Sequence, residues 1–249
     1  MNKLINQKTE FEFSIVIPCY NSEGSIQTLL NEIIKYTNLD SFKLKEIICV
    51  NDCSQDRTLE KILEIKENID ILEIINNQSN LGQVKSTILG INKSSGNYIV
   101  TLDDDLQHPP KEIGKLLNFC HENNYDFVTG YWKNDETFLR NLTSSIANLL
   151  INLIVLGNLK YRITAFRVIN SNLKNRIIDQ FKNNELMDLR KVSSNFSSFQ
   201  IEHNPKPLNR EFSKFFPRFK ITFKYIFFDN ILISIFIFII SIFLIVNFN

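Results

Sequence analysis

The chain carries almost no net charge. Its 28 Lys and Arg offset 27 Asp and Glu, leaving +1 at neutral pH. That balance removes any global electrostatic case for binding nucleic acid. Metal-binding cysteine pairs are also missing: Cys19, Cys49, Cys53 and Cys120 show no CxxC spacing. Three of them fall in or beside expected strands and one on a helix face, so they read as buried free thiols of a reducing compartment. No internal repeat is visible, which excludes solenoids and propellers. No secretory signal opens the sequence, since Met1 to Glu12 is polar.

What is there begins with one acidic stretch, Ile99-Val100-Thr101-Leu102-Asp103-Asp104-Asp105-Leu106-Gln107-His108-Pro109-Pro110. The apolar, β-branched start predicts a buried strand. Pro109 or Pro110 suits the first turn of an amphipathic helix over Lys111 to His121. Three adjacent carboxylates repel one another and call for a cation. Hard carboxylate oxygens suit Mg²⁺ or Mn²⁺, which in turn bind substrate phosphates. If strand geometry persists, Asp103 and Asp105 point one way and Asp104 the other. The competing reading is an acidic turn that caps the following helix.

The rest of the first half repeats a strand and a helix three times. Strands are expected at Phe13 to Pro18, Lys45 to Val50 and Ile69 to Ile75. Helices are expected at Ser25 to Tyr36, from about Asp56, and at Leu81 to Ile91. The order specifies a parallel α/β sheet with right-handed crossovers. Each strand ends in polar residues on one edge: Asn21 and Glu23, Asp52, Asn80, then Asp103 to Gln107. Ligands bind at that edge of open sheets, and a carboxylate there can hold a base or ribose, which points to Asp52. An Asx turn is the alternative for Asp52, with Asp56 as the helix cap.

Further along, strands are expected at Asp126 to Gly130, Tyr161 to Val168 and Phe199 to His203. A helix around Glu185 to Val192 carries Glu185 and Asp188, and Ser193 to Ser198 reads as a turn. Phe138 to Leu156 reads as a mostly apolar helix, in the core or partly on a membrane. Asn141-Leu142-Thr143 fits a glycosylation acceptor that a cytoplasmic placement silences. Phe212 to Phe228 mixes Lys and Arg with Phe at helical spacing, as an interfacial helix does. Ile231 to Val246 is uncharged, broken only by Ser234 and Ser241. With its flanks it reaches roughly the 20 residues of a membrane span. Lys206, Arg210, Lys214, Arg218, Lys220 and Lys224 precede it, which places the main domain on the cytoplasmic side. A buried core helix or an in-plane anchor is the competing reading. The expected division is residues 1–210, a basic juxtamembrane segment 211–228 and a hydrophobic helix 229–249.

The motifs FSIVIPCYN, CVNDCSQD, NLGQVKSTILGI and NYIVTLDDDLQHPPKEI, in this order, resemble the family 2 inverting glycosyltransferases of the GT-A fold. Within them the chain looks most like the polyprenyl-phosphate glycosyltransferases, such as dolichyl-phosphate mannose synthases and the undecaprenyl-phosphate sugar transferases. LDDDLQHPP is the most specific part, matching D-x-D-L-Q-x-P-P. The resemblance is strong from Phe13 to about Gly130 and weaker through TAFRV (Thr164 to Val168) and REFSKF (Arg210 to Phe215). It implies a Rossmann-like nucleotide-sugar domain with a mostly parallel sheet. It implies that Pro18, Tyr20 and Glu23 lie in the first nucleotide loop, that Asp52 binds base or ribose, and that Lys85 lies near the nucleotide. Asp103, Asp105 and Gln107 would hold Mg²⁺ or Mn²⁺, with Asp104 in the middle, usually small, position. Arg140, Arg210 and Lys214 would grip the acceptor phosphate.

The chain departs from the pattern in four places. Asn51-Asp52 stands where relatives have two aspartates. Gly130-Tyr131-Trp132 replaces G-S-R, so a phosphate-binding arginine is missing there unless Lys133 substitutes. The basic R-x-x-G-x-S-K segment is shortened to Arg210-Glu211-Phe212-Ser213-Lys214. Thr164 stands where relatives have an arginine near TAF, with Arg162 and Arg167 nearby. The implied reaction is metal-dependent, inverting sugar transfer from a nucleotide sugar to a polyprenyl phosphate at the cytoplasmic membrane face. A hydroxyl acceptor in saccharide or glycolipid assembly is the alternative; it needs a base, and Glu185 or Asp188 could supply one. A third reading is a membrane scaffold with a decayed site. A paired assembly through the terminal helices fits either enzyme reading.

Overall fold

The structure, a computed structural model, describes residues 11–39, 41–131, 164–184 and 187–202. They form a seven-stranded sheet, flanked by helices, in the strand order β3-β2-β1-β4-β6-β5-β7. The strands are β1 (Phe11–Cys19), β2 (Phe42–Asn51), β3 (Leu72–Asn76), β4 (Tyr98–Thr101), β5 (Phe127–Tyr131), β6 (Arg167–Asn170) and β7 (Phe196–Gln200). The helices are α1 (Ile26–Tyr36), α2 (Thr58–Lys66), α3 (Gln83–Lys93), α4 (Ile113–Glu122) and α5 (Lys174–Phe181). β1 pairs in parallel with β2 and β4, β2 with β3, and β5 with β7. β6 alone runs against its neighbours β4 and β5.

Alternation along β1 divides the core in two. Phe13, Ile15, Ile17 and Cys19 face one apolar cluster, and Val16 faces the other. The first cluster takes Ile26, Leu29, Leu30 and Ile33 of α1, Ile62 of α2, and Ile113, Leu116, Leu117 and Cys120 of α4. Each such side chain, fully buried, contributes roughly 1.5–3 kcal/mol before the entropy of ordering it. The second cluster packs Ile88 and Ile91 of α3 and Ile177 and Phe181 of α5 over Ile99, Phe127 and Ile169. Gly90 lets α3 approach the sheet, since a Cβ there would lie 2.3 Å from Val16 Cγ1. Cys19, Cys49 and Cys120 are buried free thiols, and Cys53 is half-buried.

The first four strands and helices match the expected alternation, and Pro110 opens the 3-10 turn that leads into α4. The second half differs. β6 begins at Arg167 instead of Tyr161, although 161–163 lie outside the described residues. β7 begins at Phe196, inside the expected serine turn. Of the expected helix over 185–192, the described residues 187–192 hold a single 3-10 turn, Leu189–Lys191, capped by the Asp188 carboxylate on Arg190 N. α5 was not anticipated. Among the described residues no helix is long and apolar enough to cross a membrane. The segments 138–156, 211–228 and 229–249 lie outside the described residues.

Candidate functional site

The carboxyl ends of β1, β2, β3, β4 and β5 share one edge with the start of β6. The loop after β1 is fastened to the loop after β2 at several points. Asn21 N donates to Ser54 Oγ at 3.1 Å, Gln55 N to Asn21 Oδ1 at 2.8 Å, and Ser22 N to Thr58 Oγ1 at 2.7 Å. Glu23 accepts from Arg57 N at 3.0 Å, and its own N–H donates to Asp56 at 3.1 Å, so Glu23 helps to hold the start of α2. Asp56 accepts from Thr58 N at 3.0 Å, but it stands one residue before the N-cap of α2, which is Arg57 and not the expected Asp56. Pro18 is buried in β1 opposite Val50, while Tyr20 is 49% exposed at the edge.

Asp52 is 3% exposed. Its Oδ1 accepts from Asn77 Nδ2 at 2.9 Å and Leu81 N at 2.8 Å, and its Oδ2 accepts from Gly82 N at 2.8 Å. Burial pushes its pKa upward, but the bonds from Leu81, Asn77 and Gly82, with the Ser86 hydroxyl nearby, outweigh that and the net direction is down. Asp52 thereby fixes the turn into α3, where Gly82 sits at φ +86°. Lys85 lies exposed on the first turn of that helix.

β4 ends at Thr101, so strand alternation does not extend through the acidic residues, which find their partners one by one. Asp103 accepts from Gln83 Nε2 on α3. Asp104 turns to the other side, where Oδ2 accepts from Tyr20 N at 3.0 Å and its carbonyl accepts from Ser25 Oγ at 2.6 Å. Burial raises the Asp104 pKa, and the charge of Asp105 adds to this against the bond from Tyr20 N. Asp104 is thus a brace between the β4 and β1 loops. Asp105 Oδ1 accepts from Gln107 N at 3.1 Å, around a bend at Leu106 with φ +61°. His108 is buried and packs against Phe166, ring centroids 5.4 Å apart. Among the described residues no three His, Cys, Asp or Glu side chains form a ready metal cluster. Two carboxylates and an amide at one strand end nevertheless match the oxygen donors of Mg²⁺ or Mn²⁺, which use one or two carboxylates plus substrate phosphates.

Asp188 is buried and forked onto Arg190, with Nε at 2.8 Å and Nη2 at 2.6 Å. Burial raises its pKa, but the bonds from Arg190 prevail and hold it below the ordinary value. It is therefore not on a solvated helix face. Arg140, Glu185, Arg210 and Lys214 lie outside the described residues. Sequence reading missed Gln83, Asn77 and the position of Arg167. A lone cation inside the apolar run of β6 is the signal that could have marked Arg167. The bond partners of Gln83 and Asn77 are far off in sequence and leave no local trace.

The family model described as "Glycosyl transferase family 2" matches residues 14–187. An uncharacterised glycosyltransferase of Synechocystis is 34% identical over 138 residues, covering 54% of this chain and 42% of that protein. The undecaprenyl-phosphate 4-deoxy-4-formamido-L-arabinose transferase of Proteus mirabilis is 36% identical over 142 residues, 55% of this chain and 42% of that one. The matched part therefore spans under half the length of these relatives. Among solved structures, Staphylococcus aureus TarS superimposes with a TM-score of 0.56 at 21% identity, over 77% of this chain and 59% of that one. Glucosyl-3-phosphoglycerate synthase of Mycobacterium tuberculosis, in complex with Mn²⁺, uridine-diphosphate-glucose and phosphoglyceric acid, gives 0.56 at 16% identity, over 81% and 75%. At these identities the likeness is one of fold.

Proposed function

The chain belongs to glycosyl transferase family 2, and on that premise we propose that it moves a sugar from a nucleotide sugar to a polyprenyl phosphate, with inversion, at the cytoplasmic membrane face. The observation that carries this reading is the end of β4, where Asp103 and Asp105 stand at the ligand edge of the sheet while Asp104 is turned inward as a brace. The relative from Proteus mirabilis, named for transfer to undecaprenyl phosphate, supports the acceptor class.

Asp103, Asp105 and Gln107 would hold Mg²⁺ or Mn²⁺, whose charge, when bound, neutralises the departing diphosphate. The loops after β1 and β2, zipped together by Asn21, Ser22 and Glu23, shape the nucleotide side, with Tyr20 exposed beside them. Lys85 approaches from the first turn of α3. The anomeric carbon passes through an oxocarbenium-like state. A phosphate acceptor is already anionic at neutral pH and attacks without a strong base. Arg140, Arg210 and Lys214 hold its charge. Residues 229–249 anchor the chain, keeping the enzyme at the surface where the lipid acceptor resides. The ion pair between Asp188 and Arg190 supports the phosphate acceptor over a hydroxyl one, because a carboxylate held by a guanidinium is a weak base.

The test uses membranes containing the chain, Mg²⁺ or Mn²⁺, a panel of labelled nucleotide sugars, and undecaprenyl or dolichyl phosphate. A metal-dependent labelled lipid that releases its sugar in mild acid is the expected product. Donor binding with no labelled lipid from any donor would instead assign a hydroxyl acceptor. Neither binding nor transfer would leave a scaffold.

A further inference from the structure

Arg167 opens β6 and is only 7% exposed. Strand register sets it between Thr101 of β4 and Thr129 of β5, both buried. These three residues form the last row across the sheet before the carboxylate edge. The preceding row on the same face is Ile99, Ile169 and Phe127, which belongs to the apolar core under α3 and α5. Arg167 therefore emerges from the core on the side where Gln83 of α3 meets Asp103.

Among the described residues the Arg167 guanidinium makes no hydrogen bond and no ion pair. Asp103 and Asp188 are the carboxylates whose charge it feels. Asp188 has both oxygens on Arg190, and Asp103 takes the amide of Gln83. Burial brings the Arg167 pKa down to about 10, against the pull of Asp103 and Asp188, so it is charged at neutral pH. The side chain is largely buried, yet none of its nitrogens is among the sealed atoms left without a partner, so the fork reaches open space at the edge. The planar fork of N–H donors matches two oxygens of one phosphate. The sheet edge is where the reaction above brings phosphates.

We propose that Arg167 is a phosphate-contacting residue whose fork donates to two oxygens of a phosphate seated beside Asp103. The ligand is either the diphosphate of the donor or the monophosphate of the lipid acceptor. The assignment rests on the transfer reading above, and it adds a cation from inside the sheet to the basic residues of the later segments.

The experiment uses the purified full chain with two probes, Mn²⁺ with inorganic pyrophosphate and, separately, farnesyl phosphate, followed by calorimetry. Melting curves are recorded alongside. Arg167→Met should weaken one probe by at least about tenfold, the size expected for a lost charge-assisted bond. Loss of pyrophosphate places the contact on the donor, and loss of farnesyl phosphate places it on the acceptor. Arg167→Lys keeps the charge but not the fork and should recover part of the affinity. A folded Arg167→Met that binds both probes as tightly as the unaltered chain overturns the proposal, leaving Arg167 an internal counter-ion. If Arg167→Met does not fold, Arg167→Lys decides: weaker binding supports the fork and unchanged binding overturns it. Failure of both variants to fold, or an unaltered chain that binds neither probe, also overturns it. The transfer reading is judged separately, by labelled lipid made by the unaltered chain.

Discussion

Asp52→Asn keeps size and shape and exchanges one oxygen for an amide nitrogen. In the wild-type chain the two oxygens accept three hydrogen bonds, from Asn77 Nδ2, Leu81 N and Gly82 N, at 2.8–2.9 Å. Whichever way the new amide is placed, it sets a donor against a donor. At least one bond to an ionised group is lost, worth about 1.5–3 kcal/mol. Leu81 is exposed, so water recovers part of that loss, and a net cost of about 2 kcal/mol is expected. For a domain of this size that lowers the melting temperature by about 4–8 °C. The pH dependence has a fixed sign. The folded pKa of Asp52 is depressed, so its contribution is present above the unfolded value of about 4 and vanishes as pH falls through the lower folded value. The assay is thermal unfolding by circular dichroism at neutral and acidic pH, where the two melting curves should separate and then converge. A variant that melts within about 1 °C of wild type at neutral pH would refute the bracing role. Weaker nucleotide binding with an unchanged melting temperature would favour direct contact with the ligand.

Other perturbations test other parts. Asp103→Asn and Asp105→Asn should each reduce metal-dependent transfer by at least about 100-fold, as loss of a key charge at the reacting centre does; a chelator should abolish it, and added Mn²⁺ should restore it in the wild type only. Arg190→Gln leaves the buried Asp188 carboxylate without its fork and should cost about 1–3 kcal/mol in urea unfolding. Because the Asp188 pKa is lowered in the folded chain, the difference between that variant and the wild type should shrink as pH falls below about 4. Gly96→Ala puts a methyl group 2.7 Å from Ser14 N and 2.8 Å from Phe13 C, which are backbone atoms that cannot step aside; a loss of about 1–3 kcal/mol or more is expected, read as reduced soluble yield and a lower urea midpoint.

The half of the fold built from alternating strands and helices was legible because its signals are local. Apolar runs at Phe13 to Pro18 and Ile99 to Leu102, and the stripes of α1 and α3, carry their own periodicity. The second half hid its elements for physical reasons. α5 is only eight residues long and buries just Ile177 and Phe181, with Ile178 half-buried beside them, so its apolar stripe is too short to stand out. β7 pairs with β5 on one side and tolerates serines that look like a turn. Near Asp188 a side-chain cap on Arg190 N stops the backbone at a single 3-10 turn, where charge and spacing suggested a longer helix. At the site, the placing of the acidic run just past the end of β4 followed from the apolar run before it. The inward service of Asp52 did not, because its partners Leu81 and Gly82 lie 29 and 30 residues away.

The reversed strand β6 decides where the chain between β5 and β6 is attached. β5 ends and β6 begins at the same carboxylate edge, with Thr129 beside Arg167. Whatever chain joins them must leave from and return to the ligand side, however long it is. A single strand direction thus sets both attachment points of that connection at the edge where Thr129 and Arg167 lie side by side.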